Sequence, residues 1–277
     1  MTLFQPFDPE EENGRKRLRR LPQVPIRSVL PSLVTLVALC AGLTAIRMTI
    51  EGRYDIAIGL IVVAAALDGI DGRIARFLKS TSRFGAELDS IADFVNFGVA
   101  PAVLIYTWGL DELGSLGWIA VLVFGICAAL RLARFNVGLE SPTKLDWHAA
   151  YFFGVPAPAG AIVVMLPLYL EFVVVPHGFL SAPLTFVYTI AIGLLMVSRI
   201  PTWSGKLVGR RIARDMVAPL FVCGVLAVAF LVSYPWQTLM VGTIAYLASL
   251  PLSFAAFMRR EQAAARPPEP PPPEAGT

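Results

Sequence analysis

Four aspartates recur at regular intervals in residues 68–93, directly after the apolar run IGLIVVAAAL. Asp68 and Asp71 are three residues apart, and Asp89 and Asp93 are four apart, so each pair shares one face of a helix. A short basic stretch, KSTSR, separates the pairs and fits a turn between two antiparallel helices. We therefore expect the two acidic faces to meet near the end of a helical hairpin.

Carboxylates that converge in a site of low dielectric constant repel one another unless a cation neutralises them. Hard divalent cations prefer oxygen ligands, and two of them about 3.5–4 Å apart can share bridging carboxylates. Such ions neutralise a nucleotide diphosphate and stabilise in-line displacement at phosphorus. The small residues Gly72, Ala75 and Gly85 leave room for a ligand near the backbone, and Arg76 can pair with a phosphate.

The same aspartates also fit a solvated helix end, paired with basic neighbours at Arg73, Arg76, Lys79 and Arg83. Against this, eight positions are fixed at once by the pattern D-x-x-D-G-x-x-A-R, which is followed, after eight residues, by G-x-x-x-D-x-x-x-D. An aspartate at the centre of a membrane helix costs about 2.5–3.5 kcal/mol to insert, so four are not expected to face lipid. The spacing favours a functional site.

The elements that position these residues are membrane helices. The chain has 277 residues, of which 56% are hydrophobic and 16% charged, against about 25% charged in soluble domains. About 20 apolar residues span a bilayer as a helix, and eight runs approach that length. The predicted spans are roughly 30–50, 54–77, 88–107, 117–137, 153–175, 181–199, 215–233 and 237–258.

Basic residues predict the orientation of these spans. With both termini in the cytoplasm, all of the 23 Lys and Arg residues except Arg47 and Arg53 lie on the cytoplasmic side. This places the aspartates at the cytoplasmic ends of their helices. The positive net charge of +3 is thus a sign of topology, and we expect no nucleic-acid partner.

The eight fixed positions resemble the signature of the CDP-alcohol phosphatidyltransferases, integral membrane enzymes of phospholipid synthesis. The resemblance implies that one or two Mg²⁺ or Mn²⁺ ions are held by four residues, and that the last of them is the catalytic general base. These residues are Asp68, Asp71, Asp89 and Asp93. It also implies a pocket for the CDP group formed by Asp68, Gly72, Ala75, Arg76 and Gly85.

The family fold implied by this resemblance is an all-α integral membrane protein with a six-helix core and a cytoplasm-facing polar cavity. Two further helices follow the core, which gives about eight transmembrane helices, and the family resemblance implies a homodimer. We divide the chain into a basic N-terminal segment, the catalytic core, a basic loop with two more helices, and a proline-rich tail. The boundaries are 1–28, 29–200, 201–258 and 259–277.

Two further stretches, RLARFNV (131–137) and YFFGVPAPAGA (151–161), resemble the branch of the family that uses CDP-diacylglycerol and L-serine. Arg131 and Arg134 lie on one helix face, and an arginine can grip a carboxylate through two hydrogen bonds. Asn136 can add a third contact to serine. Alternatively, the two arginines only anchor the end of their helix at the cytoplasmic surface. The prolines of the second stretch can likewise be only the start of a helix. Thr35 either reaches the pocket or packs between helices.

The acceptor alcohol stays open, because glycerol 3-phosphate, inositol phosphate or choline would serve the same chemistry. A different class of protein, a cation transporter or channel, would also use intramembrane aspartates. It predicts carboxylates near the bilayer midplane in repeated halves, whereas this chain has one acidic cluster at a helix end. We expect a multi-pass protein of a prokaryotic cell membrane, in contact with membrane lipids, with its site facing the cytoplasm.

Overall fold

Apolar runs of this length fold as helices because a backbone inside a bilayer must satisfy its own hydrogen bonds. The computed structural model describes residues 26–78, 82–139, 151–174, 182–198, 200–203 and 214–264. Within them the chain is helical apart from short turns and one pair of three-residue strands. The prediction of an all-helical integral membrane protein is confirmed.

The described residues contain ten α-helices, and each of the eight predicted runs overlaps one helix or a consecutive pair of helices. In chain order they are α1 Ile26–Ile50, α2 Tyr54–Phe77, α3 Arg83–Asp93, α4 Ala100–Ile105, α5 Ser115–Leu139, α6 Ala157–Val164, α7 Leu166–Val173, α8 Ala182–Val197, α9 Arg214–Ser233 and α10 Pro235–Ala264. Helices α3 and α4 belong to one long rod, and α6 and α7 form another broken rod.

Five of the helical segments are long and apolar enough to cross a membrane: Leu30–Ile50, Phe84–Leu113, Ser115–Val137, Met216–Ser233 and Pro235–Arg259. Two shorter apolar segments are Ala157–Val173 and Ala182–Val197. Helix α2 has 24 residues and is therefore also long enough to cross a membrane, but it carries the charged residues of the site. The apolar character of the outer surface, including nearly all of α9, is that of a protein surrounded by lipid.

The core lies where α1 packs along α2 and where α5 packs along α8, with the third rod between them. Its largest fully buried side chains include Ile58, Phe97, Phe124, Tyr169 and Met196. Helix α10 packs against α7 and α6, so the last helix is part of the bundle. Helix α9 contacts α10 and otherwise exposes its side chains.

Two rods depart from regular α-helix near a proline, and the third rod has a second π-helical turn, Tyr106–Leu110, without one. The third rod passes through a π-helical turn, Phe94–Val99, in which Ala100 N–H bonds to the oxygen of Val95. Pro101 follows, and it has no N–H group that could donate the usual α-helical hydrogen bond. The fifth rod breaks at Met165, where Pro167 cannot bond to Val163 O, and the hydroxyl of Tyr188 donates to that carbonyl oxygen at 2.7 Å.

Aromatic side chains mark the end of the bundle opposite to the aspartates. Tyr54 at the start of α2 donates to Thr107 O at 2.9 Å. Tyr106 meets Trp118 edge-to-face with 5.3 Å between ring centroids, and Phe172 lies 4.9 Å from Trp236. Tyr and Trp concentrate at membrane–water interfaces, so this belt fits one membrane boundary.

The strands β1, Tyr151–Phe153, and β2, Pro201–Trp203, pair antiparallel with Tyr151 opposite Trp203. They join the segment before α6 to the segment after α8 at the end of the bundle that holds the aspartates. The expectations for residues 1–25, for the loop 204–213 and for the proline-rich tail from residue 265 lie outside the described residues.

Candidate active site

Three aspartates from two helices converge at one end of the bundle. Asp68 and Asp71 come from α2 and Asp89 from α3, and one carboxylate oxygen of each lies within 4.8 Å of the others. Asp71 is buried, with 4% of its surface exposed, and the other two are partly buried. The hairpin expected from the sequence therefore brings its two acidic faces together.

Helix α1 supplies a hydrogen-bond donor to this cluster. Thr35 is buried, and its Oγ1 lies 2.7 Å from Asp71 Oδ2 and 3.1 Å from Pro31 O. The shorter contact helps to fix the orientation of the Asp71 carboxylate. Of the two alternatives for Thr35, the structure favours contact with the site.

We expect Thr35→Val to weaken binding of a divalent cation about tenfold, because groups that orient metal-binding side chains contribute 10–100-fold to affinity. Binding of Mn²⁺ to the purified protein, followed by electron paramagnetic resonance, measures this directly. Thr44→Val is the matched control, since Thr44 lies on the same helix, is exposed and bonds only to Cys40 O. Equal Mn²⁺ affinity in both variants would contradict the role of Thr35.

Asp93 lies one turn further along the rod from Asp89. Its carboxyl group is within hydrogen-bonding reach of that of Asp68, but it is not among the three oxygens that are closest together. The π-helical turn begins immediately after it, at Phe94. Asp93 thus stands beside the three-aspartate cluster, where a side chain can exchange a proton with a bound alcohol.

No ion pair within the described residues neutralises these aspartates. The ion pair that does occur there joins Arg47 to Glu51 at 2.8 Å, at the other end of the bundle. Arg73 and Arg76 of α2 are exposed and make no such contact. Lys79 lies outside the described residues, as does the side chain of Arg83. A carboxylate cluster of this density without an ion pair in the described part of the chain favours a cation-binding site over a solvated, self-paired helix end.

The structure describes the surroundings of two of the small residues of the signature, Gly72 and Gly85. A Cβ atom at Gly72 would have no neighbouring atom within 4 Å, so there is open space beside α2 at that position. Gly85 N–H donates to Ser82 Oγ at 3.0 Å, which caps α3, and a Cβ atom there would come within 3.6 Å of Ser32 Oγ on α1. The side chain of Ala75 lies outside those that the structure describes.

Asn96 is a buried polar residue that the sequence analysis missed. It is 1% exposed in the π-helical turn, and its Oδ1 has no hydrogen-bond partner within the described part of the chain. It packs so closely on Gly42 of α1 that a Cβ atom at Gly42 would collide with Oδ1 and lie 2.9 Å from Cγ. Asn96 could have been identified from the sequence, because it is a single asparagine in an apolar run, three residues after Asp93.

The three residues expected to bind the acceptor have different surroundings. Arg131 on α5 is partly buried, lies 5.4 Å from the ring centroid of Phe135, and interacts electrostatically with Asp93 and Asp68. It makes no hydrogen bond or ion pair to the described residues. Among the described residues its guanidinium group is therefore free to bind an anion near the aspartates.

Arg134 uses its guanidinium group inside the protein. Nη1 donates to Val197 O at 2.9 Å and Nη2 donates to Ser198 O at 3.3 Å, so Arg134 caps the C-terminal end of α8. A cation at this position also complements the negative end of the helix dipole. Asn136 Nδ2 donates to Ser90 Oγ at 2.8 Å and joins α5 to the helix that carries Asp89.

Gly154 meets the same end of α8 from the other side. It has φ +83°, a conformation that favours glycine, and a Cβ atom would collide with Met196 O and lie 2.9 Å from Ser198 O. The backbone N–H of Gly154 donates to Ile200 O at 2.9 Å. The two stretches RLARFNV and YFFGVPAPAGA thus converge on the end of α8, although they are separate in sequence.

Gly154→Ala is expected to destabilise the fold by at least about 2 kcal/mol, because alanine adds both backbone strain and a collision with two carbonyl groups. The thermal unfolding midpoint in detergent should fall by several degrees. Gly125→Ala on α5 is the control, since its Cβ atom would have no neighbour within 4 Å. A Gly154→Ala protein as stable as the control would show that this contact is not required.

The donor set fits a hard divalent cation. All three closest groups are carboxylates, they come from facing helices, and within the described residues no basic side chain forms an ion pair with them. Mg²⁺ and Mn²⁺ take such oxygen ligands, commonly one or two carboxylates together with substrate phosphate. Thr35 holds one of the ligand groups in place, as expected of a metal site.

Comparison with known proteins agrees with this site. Residues 28–198 match a family model described as CDP-alcohol phosphatidyltransferase, and residues 215–251 match one described as CDP-alcohol phosphatidyltransferase 2. The first range contains all four aspartates, and the second contains α9 except its first residue and about the first half of α10.

Several curated proteins are similar over much of the chain. A CDP-diacylglycerol–serine O-phosphatidyltransferase of Mycobacterium leprae is 44% identical over 188 residues, which are 68% of this chain and 61% of that protein. A Mycobacterium bovis protein of the same name is 37% identical over 81% of this chain and 78% of its own length. A Helicobacter pylori protein of that name is 34% identical over 62% of this chain and 70% of its own. The chain belongs to the CDP-alcohol phosphatidyltransferase family.

Proposed function

We propose that the protein transfers the phosphatidyl group of CDP-diacylglycerol to the hydroxyl group of L-serine and releases CMP. The observation that carries this proposal is the convergence of Asp68, Asp71 and Asp89 near Arg131, which forms no ion pair with any of the described residues. The aspartates suit a cation that binds a diphosphate, and the arginine suits the carboxylate of an amino-acid acceptor. The names of the similar curated proteins support the same reaction.

Asp68, Asp71 and Asp89 would hold the divalent cation, Mg²⁺ or Mn²⁺, with Asp93 at the edge of the set. The cation, when bound, neutralises the diphosphate and stabilises the negative charge that develops on the leaving CMP. Thr35 and Asn136 serve this arrangement indirectly, because one orients Asp71 and the other ties the helix of Asp89 to α5.

Asp93 acts as the general base. Its carboxylate takes the proton of the serine hydroxyl as the serine oxygen forms a bond to the phosphorus that carries diacylglycerol. The bond between that phosphorus and the bridging oxygen breaks, and CMP leaves with both electrons of that bond. Asp93 suits this role because it stands next to the metal-binding oxygens and is not one of the closest three.

The acceptor carboxylate binds at Arg131, whose guanidinium group can form two parallel hydrogen bonds to it. Arg134 and Asn136, which sequence analysis also assigned to the acceptor, have partners in the protein, and their geometry favours positioning of α8 and α3. Direct contact of these two residues with serine remains a prediction.

The CDP group would occupy the open space beside Gly72, and the family resemblance assigns Ala75 and Gly85 to the same pocket. Arg76 is exposed at the same end of α2 and is able to approach a phosphate. In a multi-pass protein the diacylglycerol chains then remain among the membrane lipids. We place this end of the bundle in the cytoplasm, in a prokaryotic cell membrane, from the distribution of basic residues, and we expect a homodimer from the family resemblance.

The test uses purified protein in detergent with CDP-diacylglycerol and Mg²⁺ or Mn²⁺, and follows CMP release. Serine, glycerol 3-phosphate, inositol phosphate and choline are added one at a time. We expect release with serine alone and none after addition of a chelator. Release with another acceptor would keep the aspartate roles and overturn the role of Arg131, and absence of release with every acceptor would overturn the proposed reaction.

A further inference from the structure

The π-helical turn Phe94–Val99 contains a buried polar side chain that the proposed reaction does not use. Asn96 lies in this turn with 1% of its surface exposed, and its Oδ1 has no hydrogen-bond partner among the described residues. Burial of an amide oxygen without a donor costs free energy, so an apolar residue is expected here unless the amide makes a specific contact. Turns of this kind are rare and are frequent at functional sites.

The amide group of Asn96 faces the backbone of α1. Its Oδ1 occupies the space in which a Cβ atom at Gly42 would lie, and its Cγ and Cα atoms are 2.9 and 3.2 Å from that position. An amide oxygen is smaller than a methyl group and accepts weak Cα–H···O contacts, which recur where helices approach closely. The rod of α3 and α4 therefore comes into close contact with α1 at Gly42.

The same turn is packed closely against α5. A Cβ atom at Gly98 would lie 3.2 Å from the Cβ atom of Ala128, which is closer than an ordinary van der Waals contact. The π-helical turn is thus held by two helices, by α1 through Asn96 and by α5 through Gly98. Because a packed interior leaves few voids, a change at either contact displaces the turn.

Helix α1 connects this contact to the aspartate cluster. Thr35, which donates to Asp71, lies about two turns before Gly42 and therefore on the same face of α1. Asp93 directly precedes the π-helical turn and is about one turn from Asn96 in the same rod. Helix α1 thus contacts the carboxylate cluster through Thr35 and the rod that carries Asp93 through Gly42.

We propose that Asn96 is a positioning residue for Asp93, because its contact with Gly42 sets where the Asp93 carboxyl group stands relative to the carboxylate cluster. The inference rests on the proposed function, in which Asp93 is the general base, and extends it to the π-helical turn. Displacement of a reacting group by about 1 Å can cost about a hundredfold in rate. The contact therefore affects the chemical step, whereas the metal and both substrates bind to other residues.

The test is Asn96→Ala, which removes the amide group and leaves the space beside Gly42 unfilled. We expect kcat for serine-dependent CMP release to fall at least about tenfold. The Kd for Mn²⁺ and the KM values for serine and CDP-diacylglycerol should stay within about twofold of the unaltered protein, as expected when an interaction serves the chemical step alone. Asn96→Ser is also too short to reach Gly42 and should show the same loss, which keeps the test decisive if Asn96→Ala does not fold.

A second substitution tests the contact itself. Gly42→Ala alone should lower kcat, because its methyl group collides with Asn96 Oδ1. Combined with Asn96→Ala, the same methyl group enters the vacated space, so the double variant should have a higher kcat than Gly42→Ala. A double variant no more active than Gly42→Ala would overturn the inference.

Leu104→Ala is the control for loss of stability. Leu104 is fully buried in α4, further along the same rod, and its truncation leaves a cavity. This variant should have a lower thermal unfolding midpoint and, below that temperature, the kcat of the unaltered protein. An equal loss of kcat in Leu104→Ala and Asn96→Ala would attribute the effect to destabilisation and overturn the inference.

A background without the general base tests whether the effect passes through Asp93. In Asp93→Asn, the addition of Asn96→Ala should cause no further loss of kcat, because both changes act on one group. A full additional loss in that background would overturn the inference. A loss of kcat in Asn96→Ala smaller than about tenfold, or a change confined to the KM values, would also overturn it.

Failure of the proposed function gives a different result. CMP release by Asp93→Asn within about tenfold of the unaltered rate would remove Asp93 as the base, and the inference would fail with it. A larger loss in Asp93→Asn together with unaffected release by Asn96→Ala would remove the inference alone.

Discussion

Asp93→Asn is expected to lower kcat for CMP release about a thousandfold. Asparagine keeps the shape of the side chain but cannot accept the proton of the serine hydroxyl, and general-base catalysis contributes about 10²–10⁴-fold. Because Asp68, Asp71 and Asp89 remain, Mn²⁺ and CDP-diacylglycerol should still bind. Single-turnover release of CMP, together with Mn²⁺ binding by electron paramagnetic resonance, separates the loss of chemistry from the loss of binding.

The control for this variant is Asp111→Asn, an exposed aspartate at the far end of the same helical rod. It should release CMP at the rate of the unaltered protein. Transfer by Asp93→Asn within tenfold of that rate would remove Asp93 from the role of base. Loss of Mn²⁺ binding in Asp93→Asn would instead make it a required metal ligand.

Asp71→Asn is expected to raise the Kd for Mn²⁺ about a hundredfold or more and to reduce transfer at low metal concentration in proportion. The substitution removes one of the three closest carboxylates and the charged partner of Thr35. Loss of a group that only orients a metal ligand already lowers the metal affinity 10–100-fold. Loss of a ligand itself should therefore lower it at least about a hundredfold. A titration of activity against Mn²⁺ gives the shift.

Asp55→Asn serves as the comparison, because Asp55 is an exposed aspartate in the first turn of the same helix, α2. Its metal dependence should equal that of the unaltered protein. Should Asp71→Asn need no more Mn²⁺ than Asp55→Asn does, the three-aspartate cluster would not be the metal site.

The helices could be predicted from sequence because lipid imposes a simple rule on the backbone. The predicted span 54–77 coincides with α2, and the predicted span 215–233 differs from α9 by one residue. The fifth span was predicted to begin at residue 153, whereas α6 begins at Ala157, since Gly154 has a positive φ and Pro156 precedes the helix. A short strand occupies the residues before it.

The breaks within helices were not predicted. The π-helical turn Phe94–Val99 and the interruption at Met165 each adjoin a proline, but the sequence does not say whether a proline kinks, shifts or ends a membrane helix. Neighbouring helices decide the outcome. The hydroxyl of Tyr188, which satisfies Val163 O across the bundle, is an example.

Within the site, the sequence spacing predicted which residues close together in the chain share a helix face. Aspartates three or four residues apart share a helix face, so the two acidic faces needed only a hairpin to meet. The non-local contacts depend on which helices pack together, and residue order does not reveal that. Thr35 and Asp71 are 36 positions apart, Asn136 and Ser90 are 46 apart, and Arg134 and Val197 are 63 apart.

The measurement that tests the account most directly uses L-serine with ¹⁸O in its hydroxyl group. The purified protein, CDP-diacylglycerol and Mn²⁺ are incubated with this serine, and lipid and nucleotide products are analysed by mass spectrometry. The account predicts phosphatidylserine that retains ¹⁸O and CMP that carries none, with both products absent after chelation and restored by added Mn²⁺. Phosphatidylserine without the label, or CMP release with no serine-containing lipid, would contradict it.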